Sequence, residues 1–249
     1  MMDDEEGRSI EADWLPAWRD LHERIDAHPG TRAHRAWRGL AMVFQALGHN
    51  EAALMFVLDF SDGSLGHQAL FSADGQKGES IRELYYSTLY QHVANYVGMA
   101  KVLVDAARRV FRQYEGTPFM REYEDRVLVL RATQENVFIQ QFRNYVVHGG
   151  IPPFQMTLNY DRNVGTKMFA QLDAKRMLES GEFTGSAKEY LLSVGEVNLA
   201  QCVSVHAGLI REFYAWVFEQ FGSLHSADIH AVNQLIAESR KLTGADGVR

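Results

Sequence analysis

Apolar residues recur along most of this chain at the three-to-four spacing of a helix face, and at one place they alternate as in a strand. The pattern predicts a helix over residues 13–27, stopped by Pro29-Gly30, and a second that Thr31 caps and Gly48 ends. Residues 52–60 form an apolar run ahead of Asp62-Gly63, which predicts a strand and turn, although a buried helix reads the same way. Ser80-Ile-Arg-Glu83 has the spacing of a capping box. The helix it opens carries Leu84, Leu89, Val93, Tyr96, Val97, Ala100, Val104, Ala107 and Phe111 near a 3.6 period and ends around Tyr114. Thr117-Pro118 starts a further long helix, because proline in the first turn sacrifices no hydrogen bond. Its apolar side runs through Val127, Leu130, Val137, Phe138, Phe142, Tyr145 and Val146 to the stop Gly149-Gly150-Ile-Pro-Pro.

Strict alternation over 154–160, a turn over 161–165 and a second apolar stretch over 167–172 predict a β-hairpin. Ser186-Ala-Lys-Glu189 is a second capping box, opening a helix that reaches about Phe221; Ser226 to Leu242 forms the last one. Long helices on both sides of a hairpin imply an all-α, α-dominated fold: an antiparallel helical bundle with a small hairpin after its central helix. The expected organisation is a disordered acidic leader over 1–12 and N-terminal helices with a short β segment over 13–78. The bundle with hairpin 154–172 then occupies 79–243, followed by a frayed tail over 244–249.

Composition supports this picture more than it alters it. With 249 residues, 46% hydrophobic and 23% charged, the chain is an ordinary globular one able to bury a core without cross-links. Five prolines, three of them at predicted boundaries, leave the long periodic stretches unbroken. The single cysteine, Cys202, can form neither an internal disulfide nor a cysteine-rich metal site, and its apolar neighbours predict a small buried residue. The leader lacks the basic and apolar regions of a secretory signal, and no apolar stretch approaches a bilayer span, so a cytoplasmic location with no membrane partner is expected.

A net charge of −7 argues against a nucleic-acid partner until its distribution is read. Residues 1–30 hold nine acids and three bases, a net of −6, so the remaining 219 residues carry −1. Residues 101–149 hold eight bases and six acids, a net of +2. This permits RNA binding without indicating it.

Several chemistries lack their motifs. No glycine run fits a dinucleotide turn or phosphate loop, and Gly181-Glu-Phe-Thr-Gly185-Ser has neither the spacing nor the lysine. None of the ten histidines follows a glutamate by three residues, no helical zinc-protease pair exists, and the serine-hydrolase elbow is missing. No metal or cofactor is therefore expected. What remains is the run Arg143-Asn144-Tyr145-Val146-Val147-His148-Gly149. Gln140, Asn144 and His148 lie four apart on one stripe, with Gln141 on the same flank. Arg143 and His148 are five apart, roughly 140° around an ideal helix. They meet at one phosphate only if the last turn unwinds or a second chain supplies one of them.

Metal-free RNA cleavage needs groups of this kind. Histidine titrates near neutrality and suits the proton transfers at the 2′-hydroxyl and the leaving 5′-oxygen. Arginine presents a permanently charged fork of donors to phosphate oxygens. Asn144 can orient the imidazole or donate to phosphate.

The run Arg143-Asn144-x-x-x-His148-Gly149, at the end of a long helix in an α-dominated chain, resembles the R-x4–6-H signature of the HEPN superfamily. The resemblance implies a bundle that dimerises around the motif and, in many members, a metal-independent ribonuclease of toxin–antitoxin, defence or RNA-processing systems. Arg143 and His148 would be catalytic and Asn144 supporting; the partners implied are an RNA substrate, a second copy and an antitoxin or regulatory protein, with no DNA. Position 150 is glycine rather than the tyrosine of members modified by a nucleotidyltransferase, so that regulation does not carry over. The alternative is a non-catalytic module of the same type that binds nucleotide or RNA or shapes a dimer.

Each residue also has a plainer reading. His148 can bond helix-end carbonyls, and Arg143 can pair with Glu135. Tyr85, Tyr86, Tyr90 and Tyr96 read as packing rather than base-stacking groups; Arg108, Arg109 and Arg112 read as a solvated face. His92 and His206 read as satisfied interior histidines, and Trp14 with Trp18 as the dock of the first helix.

Overall fold

The computed structural model describes residues 6–62, 70, 75–161 and 165–243. The chain is α-dominated, with nine helices and one small antiparallel sheet among the described residues. The order is α1 (Glu6–Ala27), α2 (Pro29–Asp62), α3 (Gly75–Phe111), a 3-10 turn (Arg112–Tyr114), α4 (Pro118–Arg131), α5 (Gln134–Val147), β1 (Phe154–Asp161), β2 (Gly165–Asp173), α6 (Ala174–Glu179), α7 (Gly185–Val194), β3 (Glu196–Asn198), α8 (Leu199–Leu224) and α9 (Ser226–Leu242). It divides into two compact units, one of Met1–Ala41 with Trp216–Arg249, the other of Met42–Ala215. The boundaries fall inside α2 and inside α8.

In the first unit α1 lies against α9. Leu21, Ala33, Leu40, Phe221 and Val232 are buried there, and His22 Nε2 meets Ser239 Oγ at 3.1 Å. Trp18 lies tilted against His22 at 3.9 Å and meets Trp14 edge-on at 6.3 Å, both contacts within α1. Gly30 lets α2 start against α9: a Cβ there would lie 2.2 Å from the Asp228 carbonyl oxygen.

The second unit is a helical bundle. Tyr96 and Leu103 of α3 meet His206 and Tyr214 of α8, Phe111 meets Phe119 and Tyr123 of α4, and Tyr123 reaches Phe213 of α8. α5 packs on α3 and α7, with Phe138 against Phe142, Phe183 and Tyr190. The hairpin forms where alternation predicts it, paired from Phe154↔Leu172 to Asp161↔Gly165; the turn residues 162–164 lie outside the described residues. Tyr86 stacks on Phe154 and so seats the hairpin on α3.

Five boundaries differ from the expectation. Residues 52–60 belong to α2, which runs through Gly48 without stopping. A single glycine costs a helix about 1 kcal/mol, too little to end one that flanking residues favour. This end of the helix is amphipathic: Leu54, Val57 and Leu58 are buried while Phe56 is 75% exposed. The Pro29–Phe60 stretch is long and apolar enough to cross a membrane by length and composition, and 22% of its most apolar window is buried. The expectation that no stretch approaches a span therefore fails.

The helix expected from 117 to 149 is two helices. The Leu130 carbonyl accepts from the Thr133 N–H at 3.2 Å, from the Thr133 hydroxyl at 2.8 Å and from Asn136 Nδ2 at 3.2 Å, so the carbonyl at the break is satisfied locally. The helix expected from 186 to 221 is likewise interrupted. Gly195, at φ +68°, ends α7, and β3 then adds a third strand to β2 through Leu172↔Val197. Lastly, α3 starts at Gly75 and α1 at Glu6, before Ser80 and inside the expected leader respectively. Residues 1–5 and the expected frayed tail, 244–249, lie outside the described residues.

Candidate functional site at the end of the fifth helix

α5 is held by its apolar face: Phe138, Ile139, Phe142, Tyr145 and Val146 are all buried. Its polar flank is not uniform. Gln141 leaves the motif altogether, its amide donating to the Thr184 carbonyl (3.0 Å) and accepting from the Thr184 N–H (2.8 Å), which ties α5 to the start of α7. Arg143 is half-buried and Asn144 exposed; an Arg143 Nη donates to Asn144 Oδ1 at 2.9 Å. The Arg143 Nε–H is buried and has no acceptor among the described residues. No ion pair with Glu135 forms.

The last turn does not unwind. The His148 N–H donates to the Asn144 carbonyl at 2.9 Å, an unbroken helical bond. His148 is the C-cap, at φ −84° and ψ 14°. Gly149 follows at φ +90°, its N–H donating to the Val146 carbonyl at 3.4 Å and that of Gly150 to the Tyr145 carbonyl at 3.0 Å. These two bonds are a Schellman closure, which needs a residue at home in the left-handed region at Gly149. Tyr145 Oη then donates to the Ile151 carbonyl at 2.9 Å. A Cβ on Gly150 would lie 2.6 Å from the Tyr145 ring. Gly150→Ala is therefore expected to displace that ring and cost about 1–3 kcal/mol. Thermal denaturation checks this, and an unchanged midpoint would mean the ring has room to move.

Arg143 and Asn144 are thus joined, while His148 stands apart. Its ring is exposed, and no hydrogen bond, ion pair or ring contact holds it among the described residues. The contact between Asn144 and the imidazole that the four-residue spacing offers is not made, because Asn144 turns to Arg143.

Arg143 instead faces a cavity of about 600 Å³ in the second unit, walled by α3, α4, α5 and α8. His148 is not among its lining residues; Asn144, Gln140, Asn136 and His206 are. Four bases line it, Lys101, Arg108, Arg131 and Arg143, against one acid, Glu124. Asp105 pairs with Lys101 and Arg108, and the Lys101 bond first, then the charges of Lys101, Arg108 and Arg143, hold its carboxyl below the usual range. Arg109 and Arg112 are exposed, as a solvated face requires.

His206 is the residue that motif reading missed. It is 2% exposed, and its Nδ1 lies 2.7 Å from Tyr96 Oη. Tyr96 also reaches the Val203 carbonyl, at 3.5 Å. Tyr96 thus occupies Nδ1 in either tautomer, and Nε2 is the nitrogen left for a group in the cavity. Burial pulls the His206 pKa down to about 4. The unfolded chain protonates this residue near 6.5, so the native state binds fewer protons between the two values. Stability is expected to fall as pH drops from about 6.5 towards 4, by about 3 kcal/mol from this residue at most. His206→Gln should flatten that part of the stability–pH curve, measured by denaturant titration; an identical slope in the variant would show that the residue titrates normally.

Cys202 is buried, and burial pushes its thiol up to about 12, so it is not a nucleophile at neutral pH. Tyr85 and Tyr96 are buried, and Tyr86 is engaged with Phe154, which agrees with a packing role. Among the described residues no group of His, Cys, Asp and Glu side chains is placed to hold a metal. No family model matches this sequence, and no curated protein or solved structure matches it.

Proposed function

We propose that this chain is a metal-independent endoribonuclease of HEPN type, whose centre is completed by a second copy. Arg143 of one copy holds the scissile phosphate, Asn144 fixes the guanidinium, and His148 of the other copy moves the proton between the 2′-hydroxyl and the leaving 5′-oxygen. One observation carries this reading: the plainer roles open to the two residues are not taken up. Arg143 makes no pair with Glu135, and no hydrogen bond to a helix-end carbonyl engages the His148 ring among the described residues. A charged fork with a spare donor and an unengaged imidazole are what phosphate binding and proton transfer use.

The regular last turn makes the second copy a requirement of the proposal, since one helix holds the two side chains on different sides. Val147, 55% exposed, and Ile151, 80% exposed, put apolar surface beside His148 that a second copy would cover. The test is incubation of the purified chain and its Arg143→Ala and His148→Ala variants with RNA in chelator. Products formed equally by all three, or by none, would overturn it.

A second reading is a non-catalytic module of the same type that binds nucleotide or RNA. It is favoured by Arg143 facing a cavity that His148 does not line. It predicts RNA retention without cleavage, with His148→Ala altering oligomeric state or stability instead.

A further inference from the structure

We propose that the cavity between α3, α4, α5 and α8 binds a small amphipathic organic anion. Its carboxylate or phosphate head sits on Arg143, and its apolar body lies between Val104, Ile139, Ile210 and Phe213. This goes beyond the ribonuclease proposal and does not depend on His148.

The volume comes first. About 600 Å³ lies within the range of small-molecule sites, and the wall is mostly apolar with a few polar groups, as such sites are. Charge selects the ligand's sign. In a chain of net −7, this cavity gathers four bases against one acid. Asp105 answers Lys101 and Arg108, but neither Arg131 nor Arg143 has a carboxylate within salt-bridge distance among the described residues. Asp105 acts on Arg143 only at longer range, so an anionic head that touches the two guanidiniums adds the direct partner they lack.

The geometry of Arg143 narrows the head group. Asn144 occupies one Nη and fixes the plane of the fork, while the buried Nε–H has no acceptor. A guanidinium held in this way presents parallel donors, the arrangement that carboxylate and phosphate oxygens accept in pairs. Deeper in the cavity, His206 is neutral at physiological pH and keeps Nε2 for a ligand, because Tyr96 occupies Nδ1. One polar atom on the apolar body would meet it.

Fluorescence titration with 8-anilinonaphthalene-1-sulfonate tests the site, since this dye joins an aromatic body to a tetrahedral anion. One saturable site per chain is expected. N-phenyl-1-naphthylamine, the same body without the anion, should bind at least about tenfold more weakly. Arg143→Gln should weaken the sulfonate dye by about tenfold or more, and Ile210→Trp, which fills the cavity, should remove the site. Arg143→Gln keeps the test decisive if Ile210→Trp does not fold. Displacement by 1-naphthoate and by 1-naphthyl phosphate, identical in body, distinguishes a carboxylate source from a phosphate source by whichever competes at lower concentration.

His148→Ala should leave dye binding unchanged whether or not RNA is cleaved, which separates failure of this proposal from failure of the ribonuclease proposal. Equal affinity for the neutral dye, full affinity in Arg143→Gln, or displacement by neither naphthyl anion would overturn it. Loss of dye binding in His148→Ala would move the anion to the helix end and overturn it as well.

Discussion

Replacing His148 by alanine is expected to lower chelator-resistant RNA cleavage by about 10²–10⁴-fold, the usual contribution of a positioned general acid or base. Arg143→Ala is expected to lower it by about 10²–10³-fold, the scale of losing a donor to the charge that develops on the phosphate. The sharper result concerns the mixture. The two residues stand apart on one chain, so a shared site should be rebuilt when the two inactive variants are combined and allowed to exchange subunits. Half of the resulting dimers are mixed, and each mixed dimer keeps one Arg143–His148 pair of two, so about a quarter of wild-type activity should return. A site contained in one chain would give no recovery, because every chain in the mixture lacks one group. Recovery also distinguishes chemistry from folding damage, since two misfolded chains do not restore each other. Loss of activity without recovery would remove the second copy from the mechanism even if both residues proved necessary.

Phe138→Ala is expected to cost about 3–5 kcal/mol of stability, the range for a large aromatic side chain removed from a core. Phe138 is fully buried between Phe142 at 5.2 Å, Tyr190 at 5.5 Å and Phe183 at 6.2 Å. It therefore joins the helix that carries Arg143 to the segment around α7, and the cavity its loss leaves cannot close without shifting one of them. Against a typical total of about 5–15 kcal/mol, much of the second unit's stability would be gone. Phe138→Leu keeps most of the apolar volume and should cost clearly less. Denaturant titration measures both. A change within about 1 kcal/mol for the alanine variant would place Phe138 outside the core and remove the account of how α5 is held.

The contrast between these two residues shows what could be read in the candidate site. Phe138 was legible because burial leaves a periodic mark: an apolar face repeats along the sequence. Arg143, Asn144 and His148 were legible as types at a spacing, but not as an arrangement. The spacing offered Asn144 to the imidazole; the structure gives it to Arg143. Gln141 read as a member of the polar flank, and the backbone of Thr184, 43 residues away, takes it. His206 read as an interior histidine, which it is, but nothing local announced that it lines a cavity with Arg143.

By itself, then, the sequence determined the α-dominated class, the hairpin, the end of α5 at Gly149-Gly150 and the burial of Cys202. Each depends on a local period or on the backbone freedom of a single residue, and such preferences act within a few positions of the residue that carries them. Only the tertiary structure decided the third strand, the continuation of α2 through Gly48 and the cavity. In those places the local preferences differ by about 1 kcal/mol or less, so partners distant in sequence tip the balance. Val197, for instance, finds Leu172 across the sheet. A cavity walled by four helices has no sequence period of its own. It exists only where their faces fail to meet.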